Sequence, residues 1–109
     1  MISEAMSHPL QLKRLEQAKQ VSQEAYEFSQ QIVHYHSDTL ELAKLAQKAK
    51  VKHLFLTHLD PSIDTSAAEK AAFTAGMSKD YIGPIIVADD MDEIIISSHA
   101  DNHCTVTYK

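Results

Sequence analysis

The run Val51-Lys52-His53-Leu54-Phe55-Leu56-Thr57 constrains this chain more than any other segment. It is mostly apolar, fits a buried strand, and stops at His58-Leu59-Asp60-Pro61, where a turn must begin. His58 therefore stands at the C-terminal lip of a strand and faces a cleft. In open α/β sheets ligands and metals collect at that lip, because loops converge there on side chains that the strands hold rigidly.

The flanking periodicity supplies helices. Between residues 8 and 31, Leu12, Leu15, Ala18, Val21, Ala25 and Phe28 recur every three or four positions, one apolar stripe on one long helix that Pro9 suits at its first turn. Its polar face reads as solvated rather than as a partner surface. A short connection, Ile32 to Ser37, carries His34, Tyr35 and His36. Asp38 followed by Glu41 is a capping box that opens a second helix with Leu42, Leu45, Ala46 and Ala49 buried. His36 so lies just ahead of a helix N-terminus, whose dipole favours a neutral imidazole and an anion nearby. The helix and the strand after it form half of a βαβ arrangement.

Further on, Ser66 and Glu69 make another capping box, with Ala72, Phe73 and Met77 on the apolar face of a third helix that Gly76 weakens. Gly83-Pro84 breaks the chain. Residues 85–88 and 93–97 read as two strands joined into a hairpin by Asp89, Asp90, Met91 and Asp92, and residues 105–108 as a last strand. The expected fold class is α/β, one domain over residues 1–98 with a tail at 99–109. A compact chain of 109 residues would have a radius of gyration of roughly 13 Å.

Composition removes several function classes. No apolar run approaches the roughly 20 residues that span a bilayer, so membrane insertion is not expected. The net charge of -5 offers no electrostatic footprint for a polyanion, which disfavours nucleic acid. Cys104 is the only cysteine, so neither an intrachain disulfide nor a thiolate cluster is available, which fits a reducing compartment. Two glycines cannot build a phosphate loop, and the N-terminus lacks the basic and apolar regions of a secretory signal.

Among the polar residues, His58 is a candidate metal ligand, weighed against a histidine that closes a strand with a hydrogen bond. His36 is a candidate proton donor or substrate contact, weighed against a loop histidine beside a helix cap. Their spacing of 22 residues lets a helix and a returning strand bring both to one edge. His53 has the opposite strand parity to His58 and reads, with His34, as structural. Asp89, Asp90, Asp92 and Glu93 resemble a hard-cation cluster, but turn chemistry explains them and calcium wants six or more ligands. His99, Asp101, His103 and Cys104 resemble a metal-binding tail whose ligands would have to converge from a terminal segment. Cys104 has no neighbouring basic helix end to activate it.

Three blocks also carry a family resemblance. His36-Ser37-Asp38, the Val51–Leu59 string, and Gly83-Pro84-Ile85-Ile86-Val87-Ala88-Asp89-Asp90-Met91-Asp92-Glu93-Ile94 resemble, in order, the C-terminal part of metallo-β-lactamase-fold hydrolases. The branch most alike is that of ribonuclease Z and the arylsulfatase-like hydrolases. Ile2-Ser3-Glu4-Ala5-Met6 is similar to a strand end written His-Glu-Ala there, with Ser3 where His is common.

The resemblance implies half of an αββα sandwich, a mixed sheet with flanking helices, at whose edge sits a site for two zinc ions. It implies that His58 is the last metal ligand and that His36 stabilises charge or delivers a proton to the leaving group. Metals so placed generate hydroxide at neutral pH and polarise an ester or phosphoester bond of a small-molecule substrate. The His-x-His-x-Asp-His motif that supplies most ligands is absent from this chain, so it is expected to be inert alone and to bind zinc weakly. After His58 comes Leu59-Asp60-Pro61 in place of the Arg-Tyr pair of the ribonucleases, which tilts the expectation to small esters.

The leading expectation is a C-terminal segment of a metal-dependent hydrolase, begun at an internal Met1 and prone to self-association through the face an N-terminal half would cover. The alternative is a free-standing α/β interaction or binding module without catalysis. A third reading is a subunit that completes its site with a separate polypeptide.

Overall fold

The computed structural model describes residues 1–109. Strands β1 (Ile2–Met6), β2 (Leu54–Asp60) and β3 (Ile85–Val87) form a three-stranded sheet in the order β1-β2-β3, parallel throughout. A separate antiparallel ladder joins β4 (Ile94–Ser98) to β5 (Cys104–Tyr108). Four helices, α1 (His8–Val21), α2 (Gln23–Ile32), α3 (Thr39–Lys48) and α4 (Ala67–Phe73), complete a mixed α/β chain, with a 3₁₀ turn at Met77–Lys79. No helix is long and apolar enough to cross a membrane.

The central strand forms where the apolar run lies, shifted to Leu54–Asp60, and Leu54, Phe55 and Leu56 are buried. A parallel strand buried on both faces needs this near-continuous apolar run. The core joins Ala5 of β1, Leu42, Ala43 and Ala46 of α3, Leu54 and Leu56, Phe73 of α4, Met77, Tyr81 and Val87. Helix α3 starts as its capping box dictates, Asp38 accepting from the Leu40 and Glu41 amides at 3.2 and 3.3 Å. It ends in a Schellman motif: the Val51 amide donates to the Ala46 carbonyl, the Lys50 amide to that of Gln47, and Lys50 takes the left-handed φ of 53°. Ser66 caps α4 through the Glu69 amide at 3.2 Å. Gly76 follows α4 rather than lying within it. Its φ of 89° and the Leu40 methyl packed against it favour glycine at that position.

Three expectations are corrected. The long helix over 8–31 breaks at Ser22, whose backbone is extended and whose hydroxyl accepts from the Ala25 amide. A serine able to cap its own downstream residues offers the backbone an alternative to continuing the helix. A new helix starts there, so the single stripe does not survive. Leu15 is buried, while Leu12, Val21 and Phe28 are exposed.

The hairpin expected between 85–88 and 93–97 does not form. β3 pairs instead with β2, from Leu54–Ile85 to Leu56–Val87, which buries Val87 against the core. Asp92 then accepts from the Asp89 amide at 2.7 Å and closes a turn that leads the chain away, so residues 94–98 take the tail strand as their partner. Accordingly the anticipated mixed sheet is a parallel sheet with a detached ladder.

The radius of gyration is 16.0 Å, above the roughly 13 Å of a compact chain of this length, and the long axis spans 57 Å. Helix α2 has no buried residue and stands off the core, while the β4–β5 ladder is mostly exposed and meets the sheet where the Tyr108 ring lies 5.9 Å from that of Phe55.

Candidate functional site

Parallel pairing puts the C-terminal ends of β1, β2 and β3 on one edge, and the chemistry gathers there. β1 and β2 are in register from Ile2–Phe55 to Glu4–Thr57, then Ala5 pairs with Leu59. His58 is the extra residue of a β-bulge. Its φ of 47° is a conformation that histidine enters more readily than most side chains. Bulges re-aim a side chain, and this one keeps His58 out of the apolar interior and exposed.

The α2–α3 connection is strapped to the same edge. The Met6 amide donates to the Ser37 carbonyl at 2.8 Å, and Met6 forms an isolated bridge with Asp38. Glu4 completes the strap. Its Oε1 accepts from the Ser37 amide at 2.7 Å and its Oε2 lies 2.8 Å from His36 Nδ1. The His36 and His58 rings then sit 6.1 Å apart, with planes 27° from parallel. The two histidines singled out in the sequence are thus brought together, 22 positions apart in the chain.

Electrostatics settle the proton on His36. Burial acts to raise the Glu4 pKa, but the Ser37 amide and the His36 ring outweigh it and hold Glu4 below its usual range. Glu4 is therefore ionised at neutral pH and can only accept. Nδ1 of a neutral His36 must carry the hydrogen that it donates, which leaves Nε2 with a bare lone pair. Such a ring can take a proton, deliver one after charging, or bind a metal, and its orientation is set by the carboxylate behind it.

Glu4 is the residue that sequence reasoning left without a role. The available signal was a carboxylate on an otherwise apolar strand end, but only tertiary structure reveals that it reaches His36. A second pair lies close by: His8 Nδ1 and Asp38 Oδ1 are 3.4 Å apart, an ion-pair distance rather than a hydrogen bond. His8 Nε2, Gln11 Oε1 and Asp38 Oδ1 are all buried without a hydrogen-bond partner.

A cleft of about 420 Å³ opens beside His58, between residues 57–59, residues 62–65 and residues 88–90. A larger hollow of about 500 Å³ lies on the outer face of α2, but no histidine lines it, so the chemistry is assigned to the smaller one. The acidic residues after β3 do not form a cage. Asp89 pairs with Lys70 at 2.6 Å, and Asp92 accepts from the Asp89 amide and the Tyr108 hydroxyl. His53 stacks beside Phe55, with centroids 6.3 Å apart, and His34 is exposed in the α2–α3 turn.

Nowhere do three or more His, Cys, Asp or Glu side chains converge as a ready metal site. Zinc wants three protein ligands and an open position for catalysis, and at this edge the chain presents His58 with His36 as its neighbour. The donor types suit zinc, whereas the number is incomplete without donors from elsewhere. A scan of the sequence against protein-family models finds no match, and a search of curated proteins finds none.

Proposed function

We propose that this chain is the C-terminal segment of a metal-dependent hydrolase for ester or phosphoester bonds, of the metallo-β-lactamase fold in its ribonuclease Z and arylsulfatase-like branch. The observation that carries the reading is the Glu4–His36 pair set beside His58 at the carboxyl edge of a parallel sheet. In this reading His58 holds one of two zinc ions, whose other ligands come from polypeptide bearing the His-x-His-x-Asp-His motif. The metal pair supplies Lewis acidity at the scissile bond.

The chain's own residues do the rest. Glu4 fixes the His36 ring by its Nδ1–H, so that Nε2 is the atom that holds or moves the proton for the leaving group. The Ser37 amide bond to Glu4 keeps the carboxylate ionised and the loop close to β1. The cleft beside His58 receives the substrate's remaining bulk.

The test is to isolate the protein from its native cells with whatever polypeptide accompanies it, and assay the complex with zinc on p-nitrophenyl acetate and bis(p-nitrophenyl) phosphate. A companion carrying the missing motif is expected, with zinc-dependent hydrolysis that falls by roughly 100-fold or more in His36→Ala. His58→Ala should lose zinc as well as activity. Hydrolysis untouched by either change, or no zinc-dependent hydrolysis at all, overturns the reading.

One observation favours the alternative of a free-standing binding module. The sheet, α3 and α4 enclose their own ten-residue core, which suits a unit that folds by itself. A sharp, monomeric unfolding transition without zinc or hydrolysis would select that module.

A further inference from the structure

The β4–β5 ladder has no strand beyond either of its edges. At its base Glu93 and Lys109 exchange both backbone bonds, at 3.1 and 3.0 Å, and at its tip the His99 amide donates to the His103 carbonyl at 2.9 Å. Bonded and unbonded pairs alternate along an antiparallel ladder. Ile95 and Ser97 therefore turn their amides and carbonyls toward β5, while those of Ile94, Ile96 and Ser98 point outward. No backbone bond from the rest of the fold reaches these outward groups. From Ile94 to Ser98 the edge carries no charge, and it is exposed from Ile95 onward, with Ile96 63% accessible. Proteins ordinarily blunt such an edge with lysine, proline or a bulge, and β4 has none of these.

We propose that β4 pairs antiparallel with β4 of a second copy of this chain, across a two-fold axis at Ile96, in a sheet ordered β5-β4-β4-β5. The outward groups of Ile94, Ile96 and Ser98 lie symmetrically about Ile96, so a single register satisfies all of them. Ile96 exchanges both bonds with Ile96 of the second copy, and Ile94 does so with Ser98 of that copy. The same register sets Glu93 opposite His99 of the second copy at either end, so that a carboxylate meets an imidazole where the pairing closes. The Ile96 side chains meet on the axis and continue the apolar face that Ile94 shares with Val106.

The outer edge of β5 is symmetric too, about Val106, but its charges oppose pairing. There the equivalent register sets Lys109 opposite His103 of the second copy, two basic groups, and the Asp101 carboxylate already holds His103 Nδ1. Charge complementarity selects β4. A pair of short strands falls below the standard interface size, so the dimer exchanges with monomer as concentration changes. The pairing leaves His36 and His58 at the other sheet's edge untouched and is independent of the hydrolase reading.

Sedimentation equilibrium of the full chain between roughly 10 μM and 1 mM should show monomer in exchange with dimer. Ile96→Lys places two ammonium groups face to face on the axis and should weaken the dimer by roughly tenfold or more. Glu93→Lys should weaken it by roughly fivefold, and adding His99→Glu should restore it. Ile2→Lys on the main sheet and Thr107→Lys on β5 should dimerise as the parent does. Cross-linking reads the register. Ile96→Cys in a Cys104→Ser background should give a covalent dimer on mild oxidation, because a bonded antiparallel pair brings its Cα atoms to about 5.5 Å. Ser98→Cys in that background, facing Ile94 of the second copy, should not. Should Ile96→Lys disturb the ladder's amide NMR shifts, the charge swap decides alone. Monomer throughout the range, a dimer that an intact Ile96→Lys leaves unweakened, a swap that does not restore it, or equal cross-linking from Ser98→Cys overturns the pairing.

Discussion

Replacing Glu4 by glutamine tests the logic of the sheet edge in a single atom. The carboxylate accepts two bonds, from the Ser37 amide at 2.7 Å and from His36 Nδ1 at 2.8 Å. Glutamine keeps one carbonyl, which the Ser37 amide claims, and turns its NH₂ toward Nδ1. Two donors then face each other, and the imidazole must move its hydrogen to Nε2 to accept. Hydrogen bonds to a charged group contribute about 1.5–3 kcal/mol and neutral ones about 1, so two bonds losing charge assistance cost about 1–2 kcal/mol at this partly exposed site. With a urea slope of about 1–3 kcal/mol/M, the unfolding midpoint falls by roughly 0.3–2 M. Long-range ¹H–¹⁵N NMR of the imidazole reports which nitrogen is protonated, at a pH where the ring is neutral. The hydrogen is expected on Nδ1 in the parent chain and on Nε2 in Glu4→Gln. The same nitrogen protonated in both, or a midpoint that does not move, would refute the account of how Glu4 orients His36.

Because the folded Glu4 pKa is lowered, its contribution to stability is present above the ordinary glutamate value of about 4.3 and is lost as pH falls through the lower folded value; Glu4→Gln should flatten that acid limb in urea midpoints taken across pH. The Asp92 carboxylate that accepts the Tyr108 hydroxyl pushes the Tyr108 pKa up to about 12, so this contact stabilises the ladder below the ordinary tyrosine value of about 10 and is lost as pH rises through about 12. Ultraviolet titration should show that late tyrosine, and Asp92→Asn should move it down. A Cβ on Gly83 would clash with the Tyr81 ring, which is buried and donates to the Val51 carbonyl at 3.0 Å; overpacking and a strained hydrogen bond make Gly83→Ala cost about 2–4 kcal/mol by urea unfolding, and a cost under about 0.5 would contradict that packing. Lys50→Gly should gain about 0.5–1 kcal/mol in thermal or urea unfolding, since the left-handed C′ position strains lysine more than ordering a glycine costs.

Much of the local structure was legible because it depends on neighbours within four residues. Asp38 and Ser66 cap helices where the sequence places them, and the apolar run of residues 51–57 leads into the central strand. The break at Ser22 was hidden by a stripe that fits one helix as well as two, since periodicity does not reveal that a hydroxyl will cap the next turn. The pairing of Ile85–Val87 was hidden too. An apolar triplet followed by aspartates suits a hairpin, and only the open edge of β2 decides for a parallel partner.

For the site, the chain order alone placed His58 toward the carboxyl end of the central strand and His36 ahead of a helix cap, because strand and cap signals are written in adjacent residues, although the strand runs on to Asp60 rather than closing at His58. Tertiary structure alone decided that the two rings stand 6.1 Å apart, that a bulge turns His58 outward, and that Glu4, 32 positions from His36, fixes its proton. The physical reason is distance along the chain. A cap or a period is a property of a few consecutive residues, whereas parallel register, a bulge and a long-range hydrogen bond at the sheet edge arise only when segments far apart in sequence compete for the same backbone groups and the same core.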